Sequence, residues 1–178
     1  MTIHETSGTA AVGGLTTRRF AAQAATKDNI SAYGTLLEPL GDGVAFGAQD
    51  AKLQLGLGTP RFYLMKLTKR SMAVTRITRH LAVTQALAAL NGKRWYILLA
   101  PPDEPDNPQA LPNVDRLQAF CITGTQALVL HRSTWHAGPY FIEDEVDFVN
   151  LELSDTNVVD HHNARLDVTF GMVADIDV

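Results

Sequence analysis

Short apolar stretches separated by Gly, Pro, Asn and Asp run along most of the chain. Runs of this length between turn-forming residues are typical of β-strands. The pattern predicts about ten strands, at 18–22, 52–57, 61–67, 72–78, 83–90, 94–100, 126–130, 140–142, 146–153 and 166–172. So many short strands joined by tight turns favour an all-β sandwich or barrel over a parallel sheet covered by helices.

One short helix is expected near the N-terminus, where Thr26 can cap one or two helical turns that end before Gly34. Residues 1–15 are rich in Gly, Thr and Ala and have no periodicity, which predicts a flexible leader. The chain has 178 residues, of which 46% are hydrophobic. This size and composition fit a single domain with a sizeable core, which we assign to residues 16–178.

Two connections have distinctive turn chemistry. Asn91-Gly92 is the dipeptide that best tolerates positive φ at both central positions of a two-residue turn, so it is expected to join strands 83–90 and 94–100 as a hairpin. The segment 101–112 holds five prolines with Asp, Glu and Asn, which predicts a surface excursion without regular structure.

Charge and composition narrow the function classes. The 15 Lys and Arg residues against 19 Asp and Glu give a net charge of −4, so no basic face is expected to bind nucleic acid. Apolar runs such as 97–102 are far shorter than the roughly 20 residues of a membrane-spanning helix, and residues 1–15 do not resemble a secretory signal. A single cysteine, Cys121, allows no internal disulfide and favours a reducing, cytoplasmic setting.

His80 is a first candidate for proton transfer, since imidazole titrates near neutral pH. Alternate residues of a strand point the same way, so Thr78 and His80 are expected to share a face. The alternative is a histidine packed in a barrel wall. His161-His162 and the acidic run 143–147 are expected on the solvated surface.

A second cluster places His131, Arg132, Trp135 and His136 within six residues. Arginine can bind a carboxylate through two hydrogen bonds while a neighbouring histidine moves a proton. This combination suits a small anionic organic acid as the substrate. In the alternative interpretation Arg132 faces solvent and Trp135 fills the core.

The spacing of both clusters resembles the paired motifs of the cupin superfamily. Thr78-x-His80 is followed by Gln85 and then, as in the first motif, by a glycine at Gly92, while His136 occupies the histidine position of the second motif. The resemblance implies a double-stranded β-helix, a jelly-roll barrel, with His80, Gln85 and His136 as a metal set. Without a thiolate or carboxylate, such a set suits a divalent ion such as nickel or manganese that keeps several waters. Alternatively, Gln85 binds substrate or ties two strands together.

More narrowly, the chain resembles the ureidoglycolate lyase family of cupins over about residues 26–170. The resemblance is carried by residues 31–34, Arg79-His80, 84–86, 97–100, 117–120, Gly124-x-Gln126 and His131-x-x-x-Trp135-His136. It implies a carbon–nitrogen lyase that cleaves ureidoglycolate to glyoxylate and urea in allantoin catabolism.

For that reaction we expect Arg79 or Arg132 to bind the carboxylate and His131 or His136 to transfer protons. Gln85 is expected to bind the urea amide, with Trp135 also at the substrate. Thr78 and Ala137 stand where the family commonly has an acid and a second histidine.

The alternatives are a non-enzymatic cupin that binds a small organic acid and a metal-dependent cupin enzyme with another substrate. A homodimer is expected, because open antiparallel sheet edges invite pairing.

Overall fold

The computed structural model describes residues 10–12 and 14–178, and this part of the chain is mostly β-structure. The strands are β1 (Ala10–Val12), β2 (Leu15–Ala21), β3 (Gln23–Ala24), β4 (Gly34–Leu37), β5 (Pro60–Thr68), β6 (Ala73–Val74), β7 (Arg76–Arg79), β8 (Gln85–Ala89), β9 (Gly92–Ala100), β10 (Gln118–Gly124), β11 (Ala127–Leu130), β12 (Trp135–Tyr140), β13 (Glu145–Leu153), β14 (His162–Arg165) and β15 (Met172–Asp177). Three short helices, α1 (Lys27–Ile30), α2 (Thr156–Val159) and α3 (Leu166–Phe170), and a 3₁₀ turn (Val114–Arg116) complete it.

The strands form three sheets that stack as layers. A five-stranded sheet in the order β4-β11-β8-β13-β5 faces a six-stranded sheet in the order β14-β7-β12-β9-β10-β3. A four-stranded sheet, β1-β2-β15-β6, covers the other side of the six-stranded sheet. The all-β fold expected from the sequence is confirmed, in the form of an open sandwich whose sheets do not close into the expected barrel.

The sequence of strand β9 shows no alternation of apolar and polar residues, because the strand packs against a core on each face. Trp95, Ile97 and Leu99 point into the core between the two larger sheets, whereas Tyr96, Leu98 and Ala100 point into a second core beneath the four-stranded sheet. Because both faces of the strand are covered, every position from 95 to 100 is buried and apolar.

The interior between the two larger sheets has two distinct ends. On the inward face of β13, Val146 and Phe148 belong to the apolar core, and Asn150 and Glu152 follow at the same two-residue spacing. We call these regions the apolar end and the polar end. At the apolar end the Trp95 and Phe148 rings meet edge to face, with centroids 5.5 Å apart.

The Asn91-Gly92 turn is confirmed, but the expected hairpin is wrong. Asn91 and Gly92 have φ values of 57° and 67°, and the Lys93 amide donates to the Leu90 carbonyl at 3.3 Å. The flanking strands belong to different sheets, since β8 pairs with β11 and β13 and β9 pairs with β10 and β12. The turn therefore carries the chain across the sandwich.

The N-terminal helix is confirmed, and its cap is the expected one. The Thr26 hydroxyl accepts from the Asn29 amide at 3.2 Å, and the Asn29 side chain accepts from the Thr26 amide at 2.8 Å. Within the segment expected to be a leader, residues 10–12 pair with residues 15–17. Residues 1–9 and 13, which it also includes, lie outside the described residues.

Three predicted strands are wrong. Residues 52–57 form no ladder, because Gln54 exchanges hydrogen bonds with Thr84 instead. The strand expected at 140–142 is the end of β12, which stops at Tyr140. Residues 166–170 form α3, which Gly171 ends in the left-handed region at φ 61°, and the last strand starts only at Met172. The segment 101–112 is irregular, as expected.

Candidate functional site

A cavity of about 780 Å³ lies at the polar end of the sandwich. Its walls come from β5, β7, β8, β12 and β13 and from the loop before β14. The lining includes His80, Gln85 and His136, so the structure brings together three of the residues singled out from the sequence.

Two imidazoles sit side by side in this cavity. The ring centroids of His80 and His136 are 5.1 Å apart, and both side chains are buried. Nδ1 of His80 donates to the Asp160 carbonyl at 2.7 Å, and Nδ1 of His136 donates to the Thr134 carbonyl at 3.0 Å. Since a carbonyl oxygen only accepts, both neutral rings carry their proton on Nδ1 and keep an unprotonated Nε2.

Burial keeps these two rings uncharged. Desolvation lowers the pKa of His80, and the hydrogen bond to Asp160 and the charge of its carboxylate oppose the shift only in part. Desolvation together with repulsion from His80 lowers the pKa of His136 to about 3. Both imidazoles are therefore neutral near pH 7 and can accept a proton or a hydrogen bond.

Asp160 fixes the position of His80 in two ways. Its carbonyl accepts from the His80 ring, and its carboxylate accepts from the Leu81 and Ala82 amides, each at 2.7 Å. His161 follows on the same loop and stacks on His80 with centroids 5.8 Å apart. His161 is exposed, as expected for that loop, but it also lines the cavity.

Gln85 is held by a buried carboxylate that the sequence analysis did not select. Gln85 Nε2 donates to Glu152 Oε2 at 2.8 Å. Glu152, only 1% exposed, also accepts from the Tyr63 hydroxyl at 3.0 Å and from Asn157 Nδ2 at 3.1 Å. Gln85, Tyr63 and Asn157 all line the cavity, and Glu152 joins them in one network.

The cationic side chains of the cavity differ from the expected arginines. Lys66, Arg70 and Arg76 line it. Arg76 lies two residues before Thr78 on β7, and Thr78 is the ladder partner of His136. Alternation along the strand therefore places Arg76 on the same face as the histidines. In the described part of the chain it forms no ion pair.

The structure does not bring Arg79 or Trp135 to the cavity, so it gives no support to their expected roles at the substrate. Arg79 is 1% exposed and lies over the Trp135 ring, with the guanidinium carbon 4.6 Å from the centroid. Its nitrogens donate to the Glu104 and Asn107 carbonyls of the proline-rich segment. Trp135 belongs to the second core, because it alternates with His136 along β12.

His131 and Arg132 also lie away from the cavity and line a separate surface depression. Arg132 donates to the Leu81 carbonyl and pairs with Asp106 at 3.1 Å. The proposed proton transfer by His131 and carboxylate binding by Arg132 therefore lack geometric support. Closeness in sequence to His136 was misleading, since Ser133 has a φ of 66° and the chain turns sharply between them.

The sequence contains signals that could have found the missed residues. The alternation that pairs Thr78 with His80 also includes Arg76 and excludes Arg79. For Asn150 and Glu152 the pattern pointed the wrong way, because the apolar Val149 and Leu151 that alternate with them face outward. Inward polar residues on a strand are visible only once the partner sheet is known.

The residues expected to bind a metal are near one another but fit a metal poorly. No three His, Cys, Asp or Glu side chains in residues 10–12 and 14–178 are arranged to hold a metal ion. Adding the Gln85 amide to His80 and His136 gives a neutral set with no carboxylate, whereas hard divalent ions prefer charged oxygen ligands.

The chain is thus an all-β sandwich with a pair of neutral imidazoles in a polar cavity. The model of a family described as ureidoglycolate lyase matches residues 17–170. The chain belongs to this family, as its sequence motifs indicated.

Curated relatives named ureidoglycolate lyase come from Salmonella paratyphi B, Salmonella newport and Salmonella typhimurium. Each is 27% identical over 81 residues, which is 46% of this chain and 47% of the relative. The chain thus matches about half the length of these relatives.

Two solved structures share a general similarity of fold. A dTDP sugar isomerase from Desulfovibrio desulfuricans is 14% identical and has a TM-score of 0.49, covering 78% of this chain and 85% of that one. RmlC from Streptococcus suis, solved with dTDP-D-xylose, is 9% identical and has a TM-score of 0.36, covering 54% and 44%. Both likenesses are too slight to add to what the strand order shows. None of the helices in residues 10–12 and 14–178 has the length and apolar character to cross a membrane.

Proposed function

We propose that this protein cleaves ureidoglycolate to glyoxylate and urea. The observation that carries the proposal is the pair of neutral imidazoles, His80 and His136, in the cavity of a chain that belongs to the ureidoglycolate lyase family. The reaction needs a base for a hydroxyl proton and an acid for a departing nitrogen, and an imidazole can serve as both in turn.

His80 takes the central role in this mechanism. Its Nε2 accepts the proton of the substrate hydroxyl, and the oxygen forms the carbonyl of glyoxylate as the carbon–nitrogen bond breaks. The imidazolium then returns the proton to the nitrogen of the departing urea, so no atom is gained or lost. His80 suits this better than His136, because a pKa near 3 makes His136 a weak base. His136, whose Nδ1 proton is committed to Thr134, is left to accept a hydrogen bond from another donor of the bound substrate.

Arg76 takes the carboxylate of the substrate. It lies on the histidine face of β7 and forms no ion pair within the described residues, so its donors are available for a bound anion. In this proposal Arg76 replaces Arg79 and Arg132, which lie outside the cavity and hydrogen-bond main-chain carbonyls and, for Arg132, also Asp106.

The direct test is product analysis with the purified protein and ureidoglycolate. We expect urea and glyoxylate in equal amounts without ammonia, and a reduced rate for His136→Ala. Ammonia in place of urea would mean hydrolysis of the ureido group and would contradict a lyase. Binding of ureidoglycolate without any turnover would favour the organic-acid-binding alternative.

We also propose that the protein acts as a cytoplasmic homodimer that pairs through β5. This strand ends the five-stranded sheet, and its outward Phe62 and Leu64 are 70% and 64% exposed. A second copy would continue the sheet and cover both side chains. Light scattering should give twice the chain mass, and Leu64→Lys should give the single mass. A wild-type monomer would exclude the pairing.

A further inference from the structure

Glu152 is a buried acid that takes no direct part in the proposed proton transfer. It is 1% exposed, and both carboxylate oxygens accept from side chains that line the cavity. An ionised carboxylate can only accept hydrogen bonds. The side chains around it must therefore present their donors to Glu152.

This requirement fixes which way two amides face. Gln85 and Asn157 both direct their NH₂ groups at Glu152, at 2.8 Å and 3.1 Å. The opposite orientation would place an amide oxygen against a carboxylate oxygen, with no proton between them. Their carbonyl oxygens are thus turned away from Glu152, and among the described residues neither accepts a hydrogen bond.

The Tyr63 hydroxyl fixes the orientation of a third amide, that of Asn150. Its only hydroxyl proton goes to Glu152 at 3.0 Å, so towards Asn150 the hydroxyl oxygen must accept. Asn150 Nδ2 accordingly donates to it at 2.9 Å. The remaining oxygen, Asn150 Oδ1, is buried without a partner in a side chain that is 1% exposed and lines the cavity. An orphaned buried acceptor is costly unless a ligand satisfies it.

We propose that Glu152 is a positioning residue that turns the amide oxygens of Gln85, Asn150 and Asn157 into an acceptor wall selective for the N–H groups of a ureido ligand. The inference rests on the proposed function, because it assigns the ureido half of the substrate to this wall. A ligand with the same shape but no N–H groups leaves the acceptors unpaired and is rejected.

A pair of unreactive ligands isolates this selectivity. N-carbamoylglycine keeps the ureido group and the carboxylate but lacks the hydroxyl that elimination requires. Levulinate has nearly the same shape, with a methyl and a methylene in place of the NH₂ and NH. Calorimetry should show N-carbamoylglycine binding the wild-type protein at least about tenfold more tightly than levulinate.

Two variants test the role of the buried network. Glu152→Gln is nearly isosteric but presents an NH₂ group of its own, so one neighbouring amide must reverse and turn its donors to the cavity. We expect the affinity ratio to fall to about threefold or less. Tyr63→Phe frees the Asn150 amide to rotate and should lower the ratio by a smaller factor. Glu38→Gln, an exposed acid paired with Lys27, should leave the ratio unchanged.

The outcomes separate this inference from the reaction itself. A wild-type ratio near one, or a wild-type ratio retained in both Glu152→Gln and Tyr63→Phe, would overturn the acceptor wall. If Glu152→Gln does not fold, Tyr63→Phe alone decides, since its side chain lies on an edge strand and is partly exposed. A selective protein that releases no urea would refute the proposed reaction and leave the wall intact.

Discussion

The two ends of the sandwich interior are built from the same strands but serve different purposes. Along the inward face of β13 the apolar end has Val146 and Phe148, and the polar end has Asn150 and Glu152. On β8 the same change runs from Leu87 to Gln85. One end stabilises the fold by burying apolar area, whereas the other places hydrogen-bonding groups around a cavity. A site can thus be formed by changing residue type at inward positions without changing the strand geometry.

The largest expected effect is on catalysis at the polar end. His80→Ala removes the proposed base and should lower kcat for urea release by about 10²- to 10⁴-fold, with little change in the unfolding midpoint. The matched variant His131→Ala, whose ring lies outside the cavity, should keep wild-type turnover. Equal losses of kcat in the two variants would contradict the proposal that His80, and not His131, acts as the base.

A stability effect of comparable size is expected at the apolar end. Phe148 is fully buried against Trp95 and Phe141. Phe148→Ala should lower the free energy of unfolding by about 3–5 kcal/mol, measured by urea denaturation. At temperatures where the variant is folded, its kcat should remain near wild type. A kcat loss as large as that of His80→Ala would show that the two ends are not independent.

A smaller effect is expected for substrate binding. Arg76→Met keeps much of the side-chain length but loses the charge, and it should raise KM for ureidoglycolate about 10- to 100-fold. Its kcat should change much less. Arg94→Met, on the exposed start of β9, is the control and should leave KM unchanged. An unchanged KM in Arg76→Met would indicate that Arg70 or Lys66 binds the substrate carboxylate instead.

The smallest predicted effect concerns pH and stability. The pKa of His136 is about 3 in the folded protein, whereas in the unfolded chain it has the ordinary value of 6.5. Between these values only the unfolded chain takes up the proton, so stability is full above the ordinary value and falls as the pH drops towards about 3.

In His136→Gln the loss of stability per pH unit should be smaller by about 1.4 kcal/mol. Denaturation of both proteins at about pH 6 and about pH 5 measures the difference. Parallel slopes would mean that His136 titrates normally.

The sequence was informative where local chemistry decides the structure. Thr26 caps its helix, and Asn91-Gly92 makes the expected turn, because these conformations depend on neighbouring residues alone. The family motifs also included His80 and His136, which the fold brings together from the end of β7 and from β12. Had alternation along β7 been applied to both arginines, it would have predicted Arg76, and not Arg79, on the face of Thr78 and His80.

Other features depend on contacts that no local pattern reveals. The outward Val149 and Leu151 suggested that Asn150 and Glu152 faced solvent, and only the packing of the opposite sheet shows the reverse. Residues 52–57 have the composition of a strand, but in the structure they join no sheet, and Gln54 hydrogen-bonds to Thr84 instead. The apolar alternation at 166–170 predicted a strand, but the segment is a helix. Gly171 ends it in the left-handed conformation that suits a helix cap.

The turn at Asn91-Gly92 also bears on how the chain reaches its native state. A tight turn normally lets two neighbouring strands zip together early, but here the hydrogen-bonding partners of both strands come from residues 118–153. Neither sheet can be completed until that later part has been synthesised. Because such long-range pairing must precede most of the stabilising contacts, we expect slow, cooperative folding that begins only when most of the polypeptide has left the ribosome.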